Sequence, residues 1–276
     1  MSAESGAPRA RRERPNSDTG KGAATGRSVA FPKPPLRVMT TTLWEYPSQH
    51  YGDGVQGDPA YAGATPSWLI WQLLQRYTRE GDLVVDPMAG SGTTLDVARE
   101  LGRRALGYDL NPPAGRKDVF RADARRLPLE DEKADFVFID PPYSTHVRYS
   151  DDPGDIGNLD AHEGDGEQGP YFAAMRGVIA EIHRVLRPRR YMALYVSDSF
   201  KKRRGAAASE GFVPIGFMLF EMLRERFRAV DIVCVVRHNA KLKRGNWHRA
   251  AEEGNFFLRG FNYLFIMKKA ETARAR

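Results

Sequence analysis

The sequence predicts an α/β fold of three layers, in which helices cover both faces of a mostly parallel sheet. Short and wholly apolar runs, such as residues 83–85 and 136–139, are typical of strands that are buried on both faces. Segments with helical periodicity, for example residues 171–186, lie between these runs. Three of the predicted strands end directly at an aspartate, the position where open parallel sheets carry their ligand-binding groups.

The predicted elements alternate from residue 65 to residue 267. The first helix begins at Thr65-Pro66, because threonine is a favoured N-cap and proline suits the first helical turn, and it runs to about Tyr77. The other helices are predicted at 93–101, 171–186 and 217–226, and the strands at 83–85, 105–108, 136–139, 191–196, 231–236 and 263–267. This alternation indicates repeated βαβ units and hence the parallel sheet.

Length and composition exclude several classes of protein. The chain has 276 residues, of which 41% are hydrophobic, so it can bury a substantial core and is not wholly disordered. No apolar stretch approaches the ~18 residues that span a bilayer, which excludes a transmembrane protein, and no membrane partner is expected. A composition with one cysteine suits a reducing compartment, so the expected location is the cytoplasm. The single cysteine, Cys234, excludes an internal disulfide, and its apolar run predicts a buried strand.

Residues 1–37 are predicted to form a disordered basic tail, and residues 38–276 a single domain. The tail holds eight Arg or Lys against three acids, and it is rich in Gly, Ala, Ser and Pro without hydrophobic periodicity. Such a tail can add non-specific affinity for nucleic acid. A solvated extension without a partner explains the same composition.

Two more basic clusters, residues 201–204 and 237–250, follow apolar strands. The second of them holds five Arg or Lys and no acid. By contrast, residues 151–167 hold seven acids. Basic loops with an aromatic side chain between them suit a nucleic-acid surface, although charge runs are often only solvated faces. The candidate DNA-binding residues are Lys201, Lys202, Arg203, Arg204, Arg237, Lys241, Lys243, Arg244 and Trp247.

A glycine-rich turn, Asp86-Pro87-Met88-Ala89-Gly90-Ser91-Gly92-Thr93-Thr94, joins a predicted strand to a helix. Its glycines let the backbone approach a ligand closely, and the absence of a following lysine argues against a phosphate-binding Walker loop. Asp109 ends the next strand, where α/β nucleotide folds bind ribose hydroxyls, and Asp123 is placed to meet an adenine amine. The candidate cofactor-binding residues are Thr65, Asp86, Pro87, Met88, Ala89, Gly90, Ser91, Gly92, Thr93, Asp109, Leu110, Asp123 and Ala124.

The candidate catalytic motif is Asp140-Pro141-Pro142-Tyr143, directly after an apolar strand. A base amine is a poor nucleophile because its lone pair is delocalised into the ring. Acceptors on its two N–H groups, here the Asp140 carboxylate and the Pro141 carbonyl, would stabilise the positive charge that develops on nitrogen. The prolines stiffen the loop, and Tyr143 offers a face on which a flipped base can stack.

Together these motifs resemble the N6-adenine/N4-cytosine DNA methyltransferases, which use S-adenosyl-L-methionine, over the region from Trp44 to Lys268. The resemblance implies the Rossmann-like fold of class I methyltransferases, a cofactor bound at the GSG loop, and a target amine bound at D-P-P-Y. It implies that Asp140 and Tyr143 form the catalytic pair. Met88 stands where the family usually has Phe. No large separate recognition domain fits, so DNA contacts are expected from residues 144–170, 199–216 and 237–258, or from a second protomer.

The predicted function is transfer of a methyl group to adenine N6 of double-stranded DNA, with the target base flipped out. Cytosine N4 is the alternative; an RNA guanine-N2 methyltransferase and a non-enzymatic nucleic-acid-binding protein are further ones. A homodimer and a restriction nuclease are possible partners. The acidic stretch 151–167 with His146 and His162 suggests a metal site, but methyl transfer from a sulfonium requires no metal, so none is expected. Val233 before Cys234 excludes C5-cytosine chemistry, which needs a Cys after Pro.

Overall fold

The computed structural model describes residues 33–61, 63–164, 168–201, 211–238 and 245–271. Helices and strands alternate along most of this length. The helices are α1 (Ser67–Tyr77), α2 (Thr93–Glu100), α3 (Pro170–Val185), α4 (Ile215–Arg224) and α5 (Gly245–Glu253). The strands are β1 (Leu43–Trp44), β2 (Leu83–Asp86), β3 (Arg104–Asp109), β4 (Val119–Arg121), β5 (Ala134–Ile139), β6 (Leu186–Val196), β7 (Ser199–Phe200), β8 (Phe212–Val213), β9 (Arg228–Val236) and β10 (Phe261–Lys268).

The central sheet has the order β4-β3-β2-β5-β6-β10-β9-β1. Its pairs are parallel except for β10, which runs antiparallel to both β6 and β9. From β2 the chain moves to one side through β3 and β4, and then returns to β5 and β6 on the other side. The order therefore reverses between β2 and β5, which is the switch point where doubly wound sheets bind ligands. This topology confirms the predicted Rossmann-like α/β fold.

Strand β5 shows how the sheet is covered on both faces, because all six of its residues are buried. Alternate side chains of a strand point to opposite faces. Val137 and Ile139 pack in the hydrophobic cluster that includes α3 and α4, whereas Phe136 and Phe138 pack in the cluster that includes α1 and α2. Burial of one such phenylalanine contributes about 1.5–3 kcal/mol to the free energy of unfolding.

Strand β9 corrects one expectation from the sequence. The apolar run 230–236 predicts a fully buried strand, but Val230 is 41% exposed, Ile232 is 37% exposed and Cys234 is only partly buried. The reason is position: β9 lies near the edge of the sheet, and β1 pairs with it only through Leu43 and Trp44. An apolar run alone does not tell a central strand from a peripheral one.

Two of the predicted DNA-contacting loops contain regular structure. The segment 199–216 includes the antiparallel pair β7 and β8, and the segment 237–258 includes α5. The first helix begins at Ser67 rather than at the predicted Thr65-Pro66, with Pro66 at the N-cap position and no side-chain cap. The predicted N-cap role of Thr65 is therefore wrong, and its hydroxyl has another partner, described below.

The last residues of the predicted tail contact the domain. Lys33 Nζ donates a hydrogen bond to the Gly52 carbonyl oxygen over 2.8 Å, and the Arg37 carbonyl oxygen accepts one from Gln72 Nε2 over 2.6 Å. Residues 1–32 lie outside the described part of the chain. None of the helices within the described ranges has the length and apolarity that a bilayer crossing requires.

Candidate active site

A cavity of about 440 Å³ lies at the carboxyl ends of β2, β3 and β5, beside the switch point of the sheet. Most of the predicted cofactor-binding residues line it: Thr65, Asp86, Pro87, Met88, Ala89, Gly90, Ser91, Thr93, Asp109, Leu110, Asp123 and Ala124. Gly92 does not line the cavity but occupies the N-cap position of α2. Of the catalytic motif, Asp140 and Pro142 border the same space. The parallel topology thus brings the two sequence motifs together.

The glycine turn needs glycine at two positions. Gly90 and Gly92 have φ angles of 43° and 80°, in the left-handed region that side chains disfavour. A Cβ atom at Gly90 would lie 2.9 Å from the ring of Tyr61, and one at Gly92 would collide with the guanidinium of Arg116. The turn is therefore held closely between neighbours while its backbone faces the cavity.

Asp86 is a buried carboxylate that hydrogen-bonds to other residues of the glycine turn. It is 3% exposed, and its carboxylate accepts hydrogen bonds from the Met88 backbone N–H over 3.0 Å and from the Thr94 hydroxyl over 2.6 Å. Burial raises the pKa of Asp86 to about 7, and these two hydrogen bonds oppose the rise. Both oxygens thus have partners inside the protein, which indicates a role in holding the loop.

Asp109 joins the end of β3 to the same turn. Its Oδ2 accepts a hydrogen bond from the Gly90 N–H over 3.0 Å, and its Oδ1 accepts one from the Asn111 N–H over 2.9 Å. Burial raises the pKa of Asp109, against these two backbone donors. A carboxylate has about four acceptor sites, so Asp109 retains capacity for hydroxyl groups of a ligand in the cavity.

Asp123 lies in the cavity wall as an ion-paired residue. Arg125 donates to it through its backbone N–H over 2.8 Å, through Nε over 2.9 Å and through a terminal nitrogen over 2.6 Å. Burial alone would raise the pKa of Asp123, but the hydrogen bonds from Arg125 leave it below its usual range. Arg125 also donates to the Gly154 carbonyl oxygen over 2.9 Å, so the pair links two walls of the cavity.

Asp140 lies between two hydroxyl groups. Its Oδ2 accepts a hydrogen bond from Thr65 and its Oδ1 accepts one from Tyr143, each over 2.6 Å. Burial raises the pKa of Asp140 to about 7, while these two hydrogen bonds and the positive charge of Arg237 lower it. Thr65 therefore touches the catalytic motif, an interaction that its sequence position did not reveal.

The prolines of the motif differ in their surroundings. The carbonyl oxygen of Pro142 accepts a hydrogen bond from the Tyr171 hydroxyl over 2.8 Å, while Pro141 is buried and lies outside the cavity wall. Tyr143 also lies behind that wall, and its hydroxyl accepts a hydrogen bond from Asn262 Nδ2 over 3.2 Å. The loop is thus fixed by α3 on one side and by β10 on the other.

Sequence reasoning missed one aromatic part of the site. Tyr61 and Tyr149 line the cavity and stack with ring centroids 6.1 Å apart at an interplanar angle of 22°. Asp155, which is 8% exposed, lines it as well, from the segment predicted to contact DNA. No motif marks these residues, because they come from two irregular segments. With Asp109, Asp155 places acidic side chains along the wall, which favours a cationic ligand.

Few of the predicted DNA-binding residues lie in the described part of the chain. Lys201 forms an ion pair with Asp160 over 2.6 Å, so its charge is already matched within the protein. Arg237 donates to Ser197 Oγ over 3.4 Å, and Trp247 is 38% exposed on α5. Lys202, Arg203, Arg204, Lys241, Lys243 and Arg244 lie outside the described residues.

The two histidines of the suggested metal site meet at a serine. Nε2 of His146 lies 2.6 Å from Ser199 Oγ, and Nε2 of His162 lies 2.9 Å from the same atom. Within the ranges described, the structure brings together no group of three or more His, Cys, Asp or Glu side chains that could hold a metal ion.

Comparisons with known proteins agree with the motifs. The DNA methylase family model of the N6 and N4 type matches residues 9–115, which include the glycine turn and end before Asp140. The type II methyltransferase M2.DpnII of Streptococcus pneumoniae is 39% identical over 67 residues, covering 24% of this chain and 23% of that protein. The type II methyltransferase M.HindIII of Haemophilus influenzae is 48% identical over 65 residues, covering 24% of this chain and 19% of that protein.

Among solved structures, TrmN from Thermus thermophilus matches 75% of this chain and 50% of its own, with 19% identity and a TM-score of 0.46. The similarity to the two type II methyltransferases spans less than a quarter of the length of each. It is confined to a segment, and within that segment the matches are to the type of DNA methylase that the motifs resemble. Over residues 9–115 the chain is thus similar to the DNA methylases of the N6 and N4 type, and its matches to the two type II methyltransferases are short.

Proposed function

We propose that this protein transfers a methyl group from S-adenosyl-L-methionine to an exocyclic amine of a base in double-stranded DNA. The observation that carries the proposal is the position of Asp140: its carboxylate borders the cavity that the glycine turn lines, and it is hydrogen-bonded to Tyr143. A cofactor site and an acceptor for an amine thus share one space. Such a juxtaposition suits transfer of a group from a bound cofactor to a base.

The residues of the cavity fit this cofactor. S-adenosylmethionine carries a positive sulfonium and an ammonium group, and the wall includes the carboxylates of Asp86, Asp109, Asp140 and Asp155. Gly90 permits close approach of its backbone, Asp109 would accept hydrogen bonds from the ribose, and the segment at Asp123 would face the adenine. When bound, the cofactor supplies an electrophilic methyl group on a positively charged sulfur.

The Asp140 loop would bind and orient the target amine. A carboxylate has acceptor sites beyond the two hydrogen bonds that Thr65 and Tyr143 already donate, so Asp140 can accept an N–H of the amine. The Pro142 carbonyl already accepts a hydrogen bond from Tyr171, and the second acceptor that we propose is the Pro141 carbonyl, which lies behind the cavity wall in this structure. Negative charge beside the amine stabilises the positive charge that develops there.

We propose adenine N6 as the target, with cytosine N4 as the alternative. Aspartate at the first position of the tetrad supports adenine, because the resembling adenine enzymes carry it more often than the cytosine enzymes do. Both bases offer two N–H donors to Asp140 and Pro141, so the chemistry of the acceptors does not separate them. The basic residues at 202–204 and 237–249 would contact DNA phosphates, whereas Lys201 is already paired with Asp160. No metal ion is proposed for the reaction.

The test is a reaction of the purified chain with S-adenosylmethionine and unmethylated genomic DNA, digested to nucleosides and measured by mass spectrometry. We expect N6-methyladenine, its loss in Asp140→Ala, and normal yield in Asp131→Ala, a control at a side chain 74% exposed. N4-methylcytosine alone would overturn the target base. No methylated base in DNA, or methylated guanine in a parallel reaction with RNA, would overturn the proposed substrate.

A further inference from the structure

Asn262 is a buried polar residue next to the catalytic motif. It lies on β10, is 3% exposed, and donates from Nδ2 to the Tyr143 hydroxyl over 3.2 Å. Its side chain also hydrogen-bonds Tyr195, a neighbour on β6. Among the described residues, however, its carbonyl oxygen Oδ1 has no hydrogen-bond partner. A buried acceptor left without a partner costs stability, so its retention calls for a functional explanation.

The Tyr143 hydroxyl holds only one proton, and in this structure it donates that proton to Asp140 Oδ1 over 2.6 Å. Asp140 can accept the base amine while both hydroxyl groups still donate to it, but the N–H donors of the amine then share its negative charge with them. A carboxylate that keeps both hydroxyl donors has less negative charge to offer the amine. If the Tyr143 hydroxyl stopped donating to Asp140, the carboxylate would interact more strongly with the amine, provided that the hydroxyl finds another hydrogen-bond acceptor.

The structure assigns that role to Asn262: it is a positioning residue whose carbonyl oxygen accepts the hydrogen bond of the Tyr143 hydroxyl when Asp140 binds the target amine. A half-turn of the amide about its terminal torsion places Oδ1 where Nδ2 now lies, 3.2 Å from the hydroxyl oxygen. Tyr195 keeps its hydrogen bond to Asn262 in either orientation of the amide, because a phenol hydroxyl can donate to Oδ1 as well as accept from Nδ2. The inference rests on the proposed function, since it requires an amine substrate at Asp140.

A double-mutant cycle tests this coupling. Removal of the hydroxyl in Tyr143→Phe deletes both the donor and the need for an acceptor, while the aromatic face remains. We expect Asn262→Ala to lower kcat for DNA methylation by roughly tenfold. In the Tyr143→Phe background the same substitution should change kcat by less than about twofold, because the group that Asn262 positions is gone.

Three controls separate this role from a loss of folding. The affinity for S-adenosylmethionine, measured by calorimetry, should be unchanged in Asn262→Ala. Gln72→Leu removes another fully buried amide, on α1 and away from the cavity wall, and should leave kcat unaltered. If Asn262→Ala is unstable, Asn262→Leu keeps the side-chain volume without a polar group and replaces it in the cycle.

The outcomes distinguish the inference from the proposed function. Equal losses of kcat from Asn262→Ala or Asn262→Leu in both backgrounds would show a merely structural role and overturn the inference. A change in KM alone, with kcat unaltered, would overturn it too. An unmodified chain that methylates no DNA would instead overturn the proposed function, and with it the substrate on which the inference depends.

Discussion

The hydroxyl of Thr65 donates a hydrogen bond to Oδ2 of Asp140 over 2.6 Å, across a separation of 75 residues. The bond links the segment that leads into α1 with the loop that follows β5. Because a hydroxyl donor favours the charged carboxylate, Thr65 helps to keep the partly buried Asp140 ionised.

We predict that Thr65→Val shifts the pH dependence of methylation to higher pH. Asp140 must be ionised to stabilise the amine, and its pKa is about 7, so activity should rise as pH increases through that value. Loss of the hydroxyl donor raises the pKa further and should move the midpoint of the kcat profile upward by about one pH unit. Profiles between pH 5.5 and 9 measure it. Thr65→Ser retains the donor and should keep the original midpoint; an unshifted Thr65→Val profile would contradict the prediction.

Asp109→Ala should weaken binding of S-adenosylmethionine by roughly 1.5–3 kcal/mol, through loss of charge-assisted hydrogen bonds to the ribose. Calorimetry measures the affinity. Since Asp109 also accepts from the Gly90 N–H, Asp109→Asn serves as the companion variant, because it keeps one acceptor for the turn. Unaltered affinity in a folded Asp109→Ala protein would refute the ribose assignment.

Binding of S-adenosylmethionine and methylation of DNA should both persist in EDTA. The proposed chemistry places only carboxylate and carbonyl acceptors at the amine, and a sulfonium needs no metal ion to release its methyl group. Calorimetry and the nucleoside assay with and without chelator measure this. A loss of activity that added Mg²⁺ or Zn²⁺ restores would contradict it.

Asp86 should make the protein less stable as pH rises towards neutrality. Burial raises its pKa to about 7, well above the usual value of 3.8. Between these two values the folded state binds the proton that the unfolded state has lost, so the free energy of unfolding falls, by up to about 1.4 kcal/mol per pH unit. Asp86→Asn should lessen this fall. Urea unfolding at pH 5, 6 and 7 measures it, and parallel profiles for the two proteins would argue against the raised pKa.

Neutralising Lys241, Lys243 and Arg244 together should lower DNA affinity and flatten its dependence on salt, by up to about one slope unit for each DNA phosphate that the protein no longer neutralises. Titrations at several salt concentrations measure the slope. A matched control neutralises three other positive charges, those of Arg76, Lys133 and Arg224, which are exposed and lie outside the cavity wall. An equal slope for the test variant and the unmodified chain would mean that the basic cluster is only a solvated face.

Deletion of residues 1–37 should weaken DNA binding without changing the recognised site.

Much of the fold could be predicted because its signals are local. The apolar run 136–139 is buried on both faces as expected, and the glycine turn joins a strand to a helix. The position of Asp109 and Asp140 beside this turn could also be predicted, since parallel strands place their carboxyl ends at one edge of a sheet. The exposure of β9 could not, because an apolar run does not state whether its strand lies at the centre of the sheet or near its edge, where β1 pairs with it through only two residues.

The sequence by itself determined which residues form the candidate site: the glycine turn, the aspartates at strand ends and the D-P-P-Y tetrad are short motifs that local residue types make recognisable. The tertiary structure alone decided which groups surround that chemistry. Thr65, the Tyr61–Tyr149 stack and Asn262 reach the cavity or its motif from segments far apart in the chain. Their approach depends on how helices and loops pack against the sheet, and packing is set by the sum of many side-chain interactions rather than by any local pattern.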